Sequence, residues 1–181
     1  MILSMRVALP VRLKTAVREV ADFPQPGVLF RDLTPVLADE DLRREVIDAL
    51  AARAWTNLGP TVVAGAEARG FLFGVGVAER LRLPFVPLRK PGKLPWKTVR
   101  SEYGLEYGQD ALEVHVDAFG PKDRVLVIDD VLATGGTAQA CAELIAMLGA
   151  EVSAFAFVLE LVGLNGRSKL AAPVSSVLTD P

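Results

Sequence analysis

One segment constrains the fold of this 181-residue chain more than any other: VLVIDDVLATGGTAQA, residues 125–140. Four apolar residues lead into Asp129 and Asp130, which predicts a parallel strand that is buried on both faces and carries polar side chains at its carboxyl end. Small residues follow, and residues 138–148 have a helical pattern. Because ligands of open parallel α/β sheets bind outside the carboxyl ends of the strands, this segment predicts a binding site as well as a fold.

The loop between the acid pair and the helix has the composition of an anion site. Its small residues offer backbone N–H groups and hydroxyls at the start of a helix, where anions bind. These loop residues are Ala133, Thr134, Gly135, Gly136 and Thr137. Carboxylates beside an anion site suit a sugar phosphate, because the acids accept hydrogen bonds from ribose hydroxyls while the loop donates to the phosphate. The alternative interpretation is a solvated acid pair followed by an ordinary glycine turn.

The remaining pattern predicts a parallel α/β sheet wound by right-handed crossovers. Further strands are expected at residues 61–64, 84–88 and 153–159, and helices at about residues 40–55, capped by Asp39, and 71–80. Residues 12–20 have a weak helical period that breaks at the proline-rich segment beginning with Phe23. Within residues 89–118, the alternation of Leu112, Val114 and Val116 predicts a strand that closes a hairpin. The Gly- and Lys-rich part before it predicts a mobile active-site flap.

Composition excludes several classes of protein and site. A formal net charge of −2 gives no electrostatic argument for a nucleic-acid or anionic-membrane partner. No uncharged stretch reaches the roughly 18 residues that span a bilayer, and Arg6 interrupts the only candidate secretory segment, so we expect a cytoplasmic enzyme. The single cysteine, Cys141, and the single histidine leave no basis for a disulfide or a zinc site. No Walker loop or dinucleotide fingerprint occurs, since Leu94 follows Lys93 and Glu79 replaces the third glycine.

Two further groups of residues are expected at the same sheet edge. Glu67, Ala68 and Arg69 follow one predicted strand, and an arginine with backbone N–H groups from small residues suits a diphosphate. Arg89, Lys90 and Lys93 follow another strand and would offset developing diphosphate charge. The alternatives are a plain strand-to-helix turn for the first group and a solvated charge run for the second.

Five motifs can be compared together with known families. They are FPQPGVLFRDLTPVL (residues 23–37), AGAEARGFLFG (64–74), RKPGKLP (89–95), YGLEYG (103–108) and VLVIDDVLATGGT (125–137). In this order and spacing they resemble the adenine phosphoribosyltransferase family of type I phosphoribosyltransferases, over nearly the whole chain from Phe23 to Gly166. The resemblance implies one domain, residues 1–181, with the type I phosphoribosyltransferase fold: a central, mostly parallel sheet flanked by helices. It also implies an N-terminal hood (about residues 1–37), a core (about 38–181) and a flexible flap (about 92–112).

The resemblance further implies a role for each motif. In the hood, Leu29 and Arg31 would hold adenine partly through backbone groups, and Phe30 would help build the apolar interior. Glu67, Ala68 and Arg69 would form the diphosphate loop, with a cis peptide bond between Glu67 and Ala68. The remaining assignments are Asp129 and Asp130 for ribose, Ala133, Thr134, Gly135, Gly136 and Thr137 for the 5′-phosphate, Lys90 and Lys93 for diphosphate, Glu106 for the purine proton, and Arg89 for the diphosphate of a neighbouring subunit.

The implied reaction converts adenine and 5-phosphoribosyl 1-diphosphate (PRPP) to AMP and diphosphate in purine salvage. Mg²⁺ would be bound mainly through the substrate, with no direct protein ligand, and the enzyme would be a homodimer. In oxopurine transferases the position of Ala133 carries an aspartate that serves the purine near N7, so a methyl group here favours adenine. The alternatives are a transferase for another base and a non-catalytic PRPP-sensing regulator on the same fold.

Overall fold

The computed structural model describes residues 7–53, 59–105 and 108–180. The chain divides into two compact units between Ile47 and Asp48. The α-helices in the described ranges are α1 (Leu9–Ala16), α2 (Thr34–Ala38), α3 (Glu40–Arg53), α4 (Arg69–Leu81) and α5 (Gly136–Met147). The strands there are β1 (Arg18–Ala21), β2 (Leu29–Asp32), β3 (Val62–Ala66), β4 (Phe85–Leu88), β5 (Thr98–Leu105), β6 (Gly108–His115), β7 (Arg124–Leu132), β8 (Glu151–Leu161) and β9 (Val174–Asp180). Two short 3₁₀ helices, Val162–Leu164 and Gly166–Lys169, connect β8 to β9.

The N-terminal unit contains an antiparallel hairpin that the sequence pattern did not predict. The helical period expected for residues 12–20 is wrong at its end, because α1 stops at Ala16 and β1 begins at Arg18. Pairing with β2 overrides the weak local preference: Glu19 lies opposite Arg31, and their side chains form an ion pair at 3.2 Å. The prediction that the proline-rich segment beginning with Phe23 is not helical is confirmed, and this segment connects β1 to β2. Asp39 caps α3 as predicted, since its Oδ1 accepts from the Leu42 N–H at 2.9 Å.

The C-terminal unit is built on a five-stranded sheet in the order β4-β3-β7-β8-β9, with every neighbouring pair parallel. The four predicted strands are confirmed as β3, β4, β7 and β8. Strand β9 was not predicted, because Val174–Asp180 mixes polar and apolar residues and, among the described strands, pairs only with β8 at the sheet edge. Strand β3 is buried throughout, as expected for a central strand of a parallel sheet.

The hairpin of β5 and β6 packs on the same unit. Its register sets Thr98 opposite His115, which confirms the predicted hairpin and shows that its first strand begins well before the alternating segment. Leu112 and Val114 belong to the core cluster, together with Leu144 and Ile145 of α5. Gly136, at the start of α5, has no room for a side chain, since a Cβ there would lie 2.8 Å from the carbonyl oxygen of Gly104. The predicted mobility of the flap stays a prediction.

Candidate active site

The sheet order brings three loops together. Strands β4, β3 and β7 are adjacent and parallel, so their carboxyl ends lie at one edge of the sheet. Glu67 follows β3, Arg89 follows β4, and Asp129 and Asp130 lie near the end of β7. Strand β7 continues two residues beyond the acid pair, to Leu132. The residue groups that the sequence placed at a common edge therefore occupy neighbouring positions.

The two adjacent acids have different surroundings. Asp130 is buried, with its side chain 6% exposed, and it forms an ion pair with Arg69. Asp129 lines a cavity and accepts a hydrogen bond from the backbone N–H of Asp130 at 2.9 Å. Burial, and next the negative charge of Asp130, raise the pKa of Asp129 well above its ordinary value. Asp129 is thus the acid of the pair that lines the cavity, while Asp130 forms an ion pair with Arg69.

The loop after β7 forms the other wall of this cavity. Residues 131–138 line it together with Asp129 and Phe157. Gly135 has a φ of 81°, a left-handed conformation that favours glycine, and it directly precedes α5. The loop backbone therefore turns into the first turn of a helix, where free N–H groups and the helix dipole suit an anion.

The β3–α4 loop packs directly on the acid-bearing strand. The peptide bond between Glu67 and Ala68 is cis, as expected. A Cβ on Gly70 would lie 2.8 Å from the carbonyl oxygen of Ile128 and 2.9 Å from Oδ1 of Asp129, so only glycine fits here without a shift. This close approach places Arg69 beside Asp130 and makes the loop and the acids parts of one site.

Glu67 binds the segment that follows β4. Its carboxylate accepts from Nε and Nη2 of Arg89, both at 3.2 Å, and from the backbone N–H of Lys90 at 2.7 Å. The bond from Arg89 is the main cause of a lowered pKa for Glu67, and Lys93 also contributes its charge. Arg89 therefore contacts its own chain, whereas the sequence comparison assigned it to a neighbouring subunit. That assignment stays a prediction.

Comparison with known proteins identifies the family. The family model of the phosphoribosyl transferase domain matches residues 36–178 of this chain. The adenine phosphoribosyltransferase of Anaeromyxobacter dehalogenans (strain 2CP-C) is 52% identical over 168 residues, which cover 92% of this chain and 97% of that protein. That of Francisella tularensis subsp. tularensis (strain WY96-3418) is 53% identical over 160 residues, or 88% of this chain and 91% of that protein. The chain belongs to the adenine phosphoribosyltransferase family. A crystal structure of the family's member from Thermoanaerobacter pseudethanolicus matches with a TM-score of 0.90 at 45% identity, covering 96% of this chain and all of that one.

Sequence reasoning missed two residues at this adenine phosphoribosyltransferase site, Tyr103 and Asp110, which both contact Lys90. Lys90 donates to the hydroxyl of Tyr103 at 3.2 Å and to Asp110, and the Tyr103 hydroxyl lies 3.3 Å from Asp110. Burial raises the pKa of Tyr103, while its hydrogen bond with Thr137 opposes that shift. Tyr103 therefore joins the hairpin to the phosphate loop. The Tyr-Gly steps were noticed in the sequence, but no pattern indicated which side chain Tyr103 would meet.

The remaining predicted family residues belong to the N-terminal unit or fall outside the described residues. Leu29, Phe30 and Arg31 are on β2 of the N-terminal unit, where Leu29 is exposed and Phe30 packs edge-on against Phe23 with ring centroids 5.0 Å apart. Glu106 lies outside the residues that the structure describes. Within residues 7–53, 59–105 and 108–180, no group of three or more His, Cys, Asp or Glu side chains could hold a metal ion, and no helix is long and apolar enough to cross a membrane.

Proposed function

We propose that this chain transfers the phosphoribosyl group of PRPP to adenine, forming AMP and diphosphate in purine salvage. The observation that carries this function is the meeting of an acid pair, a phosphate loop and an arginine-bearing loop at one sheet edge. Relatives of the same family support it. The structure from Saccharomyces cerevisiae is a complex with adenine and an imino-altritol bisphosphate. That from Trypanosoma brucei is a complex with AMP, pyrophosphate and ribose-5-phosphate.

The phosphate loop and the acid pair would divide the donor between them. Thr134, Gly135, Gly136 and Thr137, with the backbone of Ala133, would bind the 5′-phosphate at the start of α5. Asp129 and Asp130 would accept hydrogen bonds from the ribose hydroxyls. As the bond from C1 to diphosphate breaks, the ribose ring gains positive charge, and the two carboxylates would stabilise that charge.

The β3–α4 loop would meet the leaving group. Arg69 and the backbone N–H groups of Ala68 and its neighbours would bind the diphosphate. Glu67 holds the Arg89 side chain and the backbone N–H of Lys90 next to this loop by hydrogen bonds. Lys93 adds further positive charge near Glu67. Together Arg69 and Lys93, with an Arg89 from the neighbouring subunit, would stabilise the negative charge that moves onto the diphosphate.

The acid pair also suits Mg²⁺ carried by the substrate. Asp129 lines the cavity while Asp130 is paired with Arg69, so the two acids do not form a carboxylate cage, which suits Mg²⁺ held mainly by substrate oxygens. Mg²⁺ is commonly bound by one or two carboxylates plus substrate phosphates. When bound, it would neutralise charge on the diphosphate and ribose oxygens. No protein side chain is assigned as its direct ligand.

Adenine would be held by Leu29, Phe30 and Arg31, and its proton would be managed by Glu106 of the flap. The phosphate loop offers no acid for this task, because Ala133 has only a methyl group. An amino group at C6 is a donor to hood backbone carbonyls, whereas the O6 of hypoxanthine would face them as a second acceptor. Closure of the flap would exclude water from the activated ribosyl donor. We also propose a homodimer that shares Arg89 between sites. A cytoplasmic location and the lack of nucleic-acid and membrane partners stay predictions.

One assay tests the function and the choice of base. The protein is incubated with PRPP, Mg²⁺ and each of adenine, hypoxanthine, guanine, xanthine and orotate, and nucleotide formation is followed. We expect AMP from adenine and a kcat/KM for hypoxanthine lower by about 10⁴ or more. Ribose 5-phosphate in place of PRPP is the control for transfer from the diphosphate ester. Comparable kcat/KM for hypoxanthine would overturn the choice of base, and PRPP binding without turnover of any base would indicate a regulator.

A further inference from the structure

The phosphate loop rests on a second backbone segment. A Cβ on Gly166 would lie 2.2 Å from the carbonyl oxygen of Ala133 and 2.8 Å from the backbone nitrogen of Gly135. The contact is mutual, because a Cβ on Gly135 would lie 2.6 Å from the carbonyl oxygen of Gly166. Gly166 is buried, and it begins the 3₁₀ helix Gly166–Lys169. Backbone packs against backbone here, so any displacement of the 3₁₀ helix is transmitted to the loop.

An ion pair holds this 3₁₀ helix to the sheet. Glu160 on β8 is 5% exposed, and its carboxylate accepts from Nε of Arg167 at 2.8 Å and also from Nη2. Arg167 donates through Nη1 to the carbonyl oxygen of Val174 at 2.6 Å, and Ser176 donates to Glu160 at 2.7 Å. A buried carboxylate with a bidentate arginine and a hydroxyl is fully satisfied and geometrically specific. Arg167 is thus tied to both β8 and β9.

The position of Glu160 explains why this pair bears on the loop. Glu160 lies in register with Leu132, the residue directly before Ala133. Strand β7 therefore delivers the start of the phosphate loop, and the neighbouring strand delivers the acid that anchors the segment packed on it. Glu160, Gly166 and Arg167 are not among the residues that line the cavity, whose lining includes the loop itself and Phe157.

We propose that Glu160, Arg167 and Gly166 are positioning residues that hold the 5′-phosphate loop in its ligand-binding geometry. The inference rests on the proposed function, since it assigns the loop to the 5′-phosphate. Backbone donors contribute most when they are aimed before the ligand arrives, and a shift of about 1 Å can cost about 10²-fold in rate. A methyl group at Gly166 displaces the backbone N–H of Gly135, one of those donors.

The test compares Gly166→Ala with Gly120→Ala. The second variant is the matched control, because a Cβ on Gly120 would meet nothing closer than 3.8 Å. Binding of AMP and of pyrophosphate with Mg²⁺ is measured by calorimetry, since AMP carries the 5′-phosphate and pyrophosphate reports on the β3–α4 loop. For Gly166→Ala we expect AMP binding weaker by about tenfold or more, the loss of one hydrogen bond to a charged group. Pyrophosphate binding should stay within about twofold, and the KM for PRPP should rise more than that for adenine.

A second pair of variants keeps the proposal testable if Gly166→Ala does not fold. Arg167→Met removes the ion pair with Glu160. Arg80→Met is the control, because it removes a more exposed ion pair, between Arg80 on α4 and Asp48 on α3 at 2.7 Å. The first should weaken AMP binding selectively and the second should not. Equal AMP affinity in Arg167→Met and wild type would overturn the proposal, and so would parallel losses of AMP and pyrophosphate binding, which a general folding defect produces. A wild-type protein that fails to bind AMP would overturn the proposed function and the role of the loop together.

Discussion

Replacing Asp129 by asparagine should stabilise the ligand-free protein at neutral pH and remove most of its activity. Burial and the charge of Asp130 raise the pKa of Asp129, so its ionised form is unfavourable in the folded state. Asparagine has the same shape as aspartate and keeps a side-chain oxygen that can accept from the Asp130 N–H, which lies 2.9 Å from Oδ1 of Asp129 in the wild-type protein. The substitution therefore removes one charge and little packing.

The stability gain is limited by compensation that the structure already contains. The Asp130 N–H and the charge of Arg69 favour the ionised form of Asp129, and the side chain opens onto the cavity. We therefore expect about 1 kcal/mol, within the range typical of relieving an unfavourable functional site, or roughly 2–4 °C in Tm for a chain of this length. Loss of charge at the ribose should lower kcat/KM by about 10² to 10³.

The sign of the pH dependence follows from the raised pKa. A carboxyl group with a higher pKa in the folded state costs stability when it is ionised in both states. That cost disappears as the pH falls through the raised pKa toward the unfolded value of about 3.9. The Tm difference between Asp129→Asn and wild type should therefore be largest at pH 8 and shrink in acid.

The assay is thermal unfolding without ligand at pH 8 and pH 5, with kcat/KM measured from AMP formation. Asp117→Asn is the matched control, since it makes the same charge change in an exposed turn. A lower Tm for Asp129→Asn than for wild type at pH 8 would refute the argument from burial. An unchanged kcat/KM would remove Asp129 from the site.

Two further predictions concern Arg89 and Glu106. Arg89→Ala and Asp130→Ala should each be inactive, and mixing the two variants should restore partial activity if dimers share Arg89. No recovery after verified subunit exchange would indicate that Arg89 acts within its own chain, where it binds Glu67. Glu106→Leu should lose much of kcat with near-normal PRPP affinity, because Glu106 is expected to act on the purine proton. An unimpaired Glu106→Leu enzyme would exclude this residue from the mechanism.

Sequence reasoning succeeded where a local pattern is strong and failed where pairing decides. The continuous apolar runs at β3 and β7 predicted central strands, because a strand buried on both faces needs little else to be recognised. Strand β1 was mistaken for the end of a helix, and β9 was missed, because each is defined by a partner distant along the chain. Edge strands carry a mixed composition that local periodicity does not resolve.

The sequence by itself determined the parallel α/β class and the chemistry of the site, because the acid pair, the small-residue loop and the arginine-bearing loop each follow an apolar strand. Parallel strands end at a common edge, so order along the chain was enough to bring these groups together. Only the tertiary structure decided how the groups divide the work: Asp130 binds Arg69 while Asp129 faces the cavity, and Glu67 binds Arg89. It also decided that Gly166 supports the phosphate loop. Such contacts join residues tens of positions apart through strand register and close backbone packing. Neither the register nor the packing can be predicted from the residues of a single short segment.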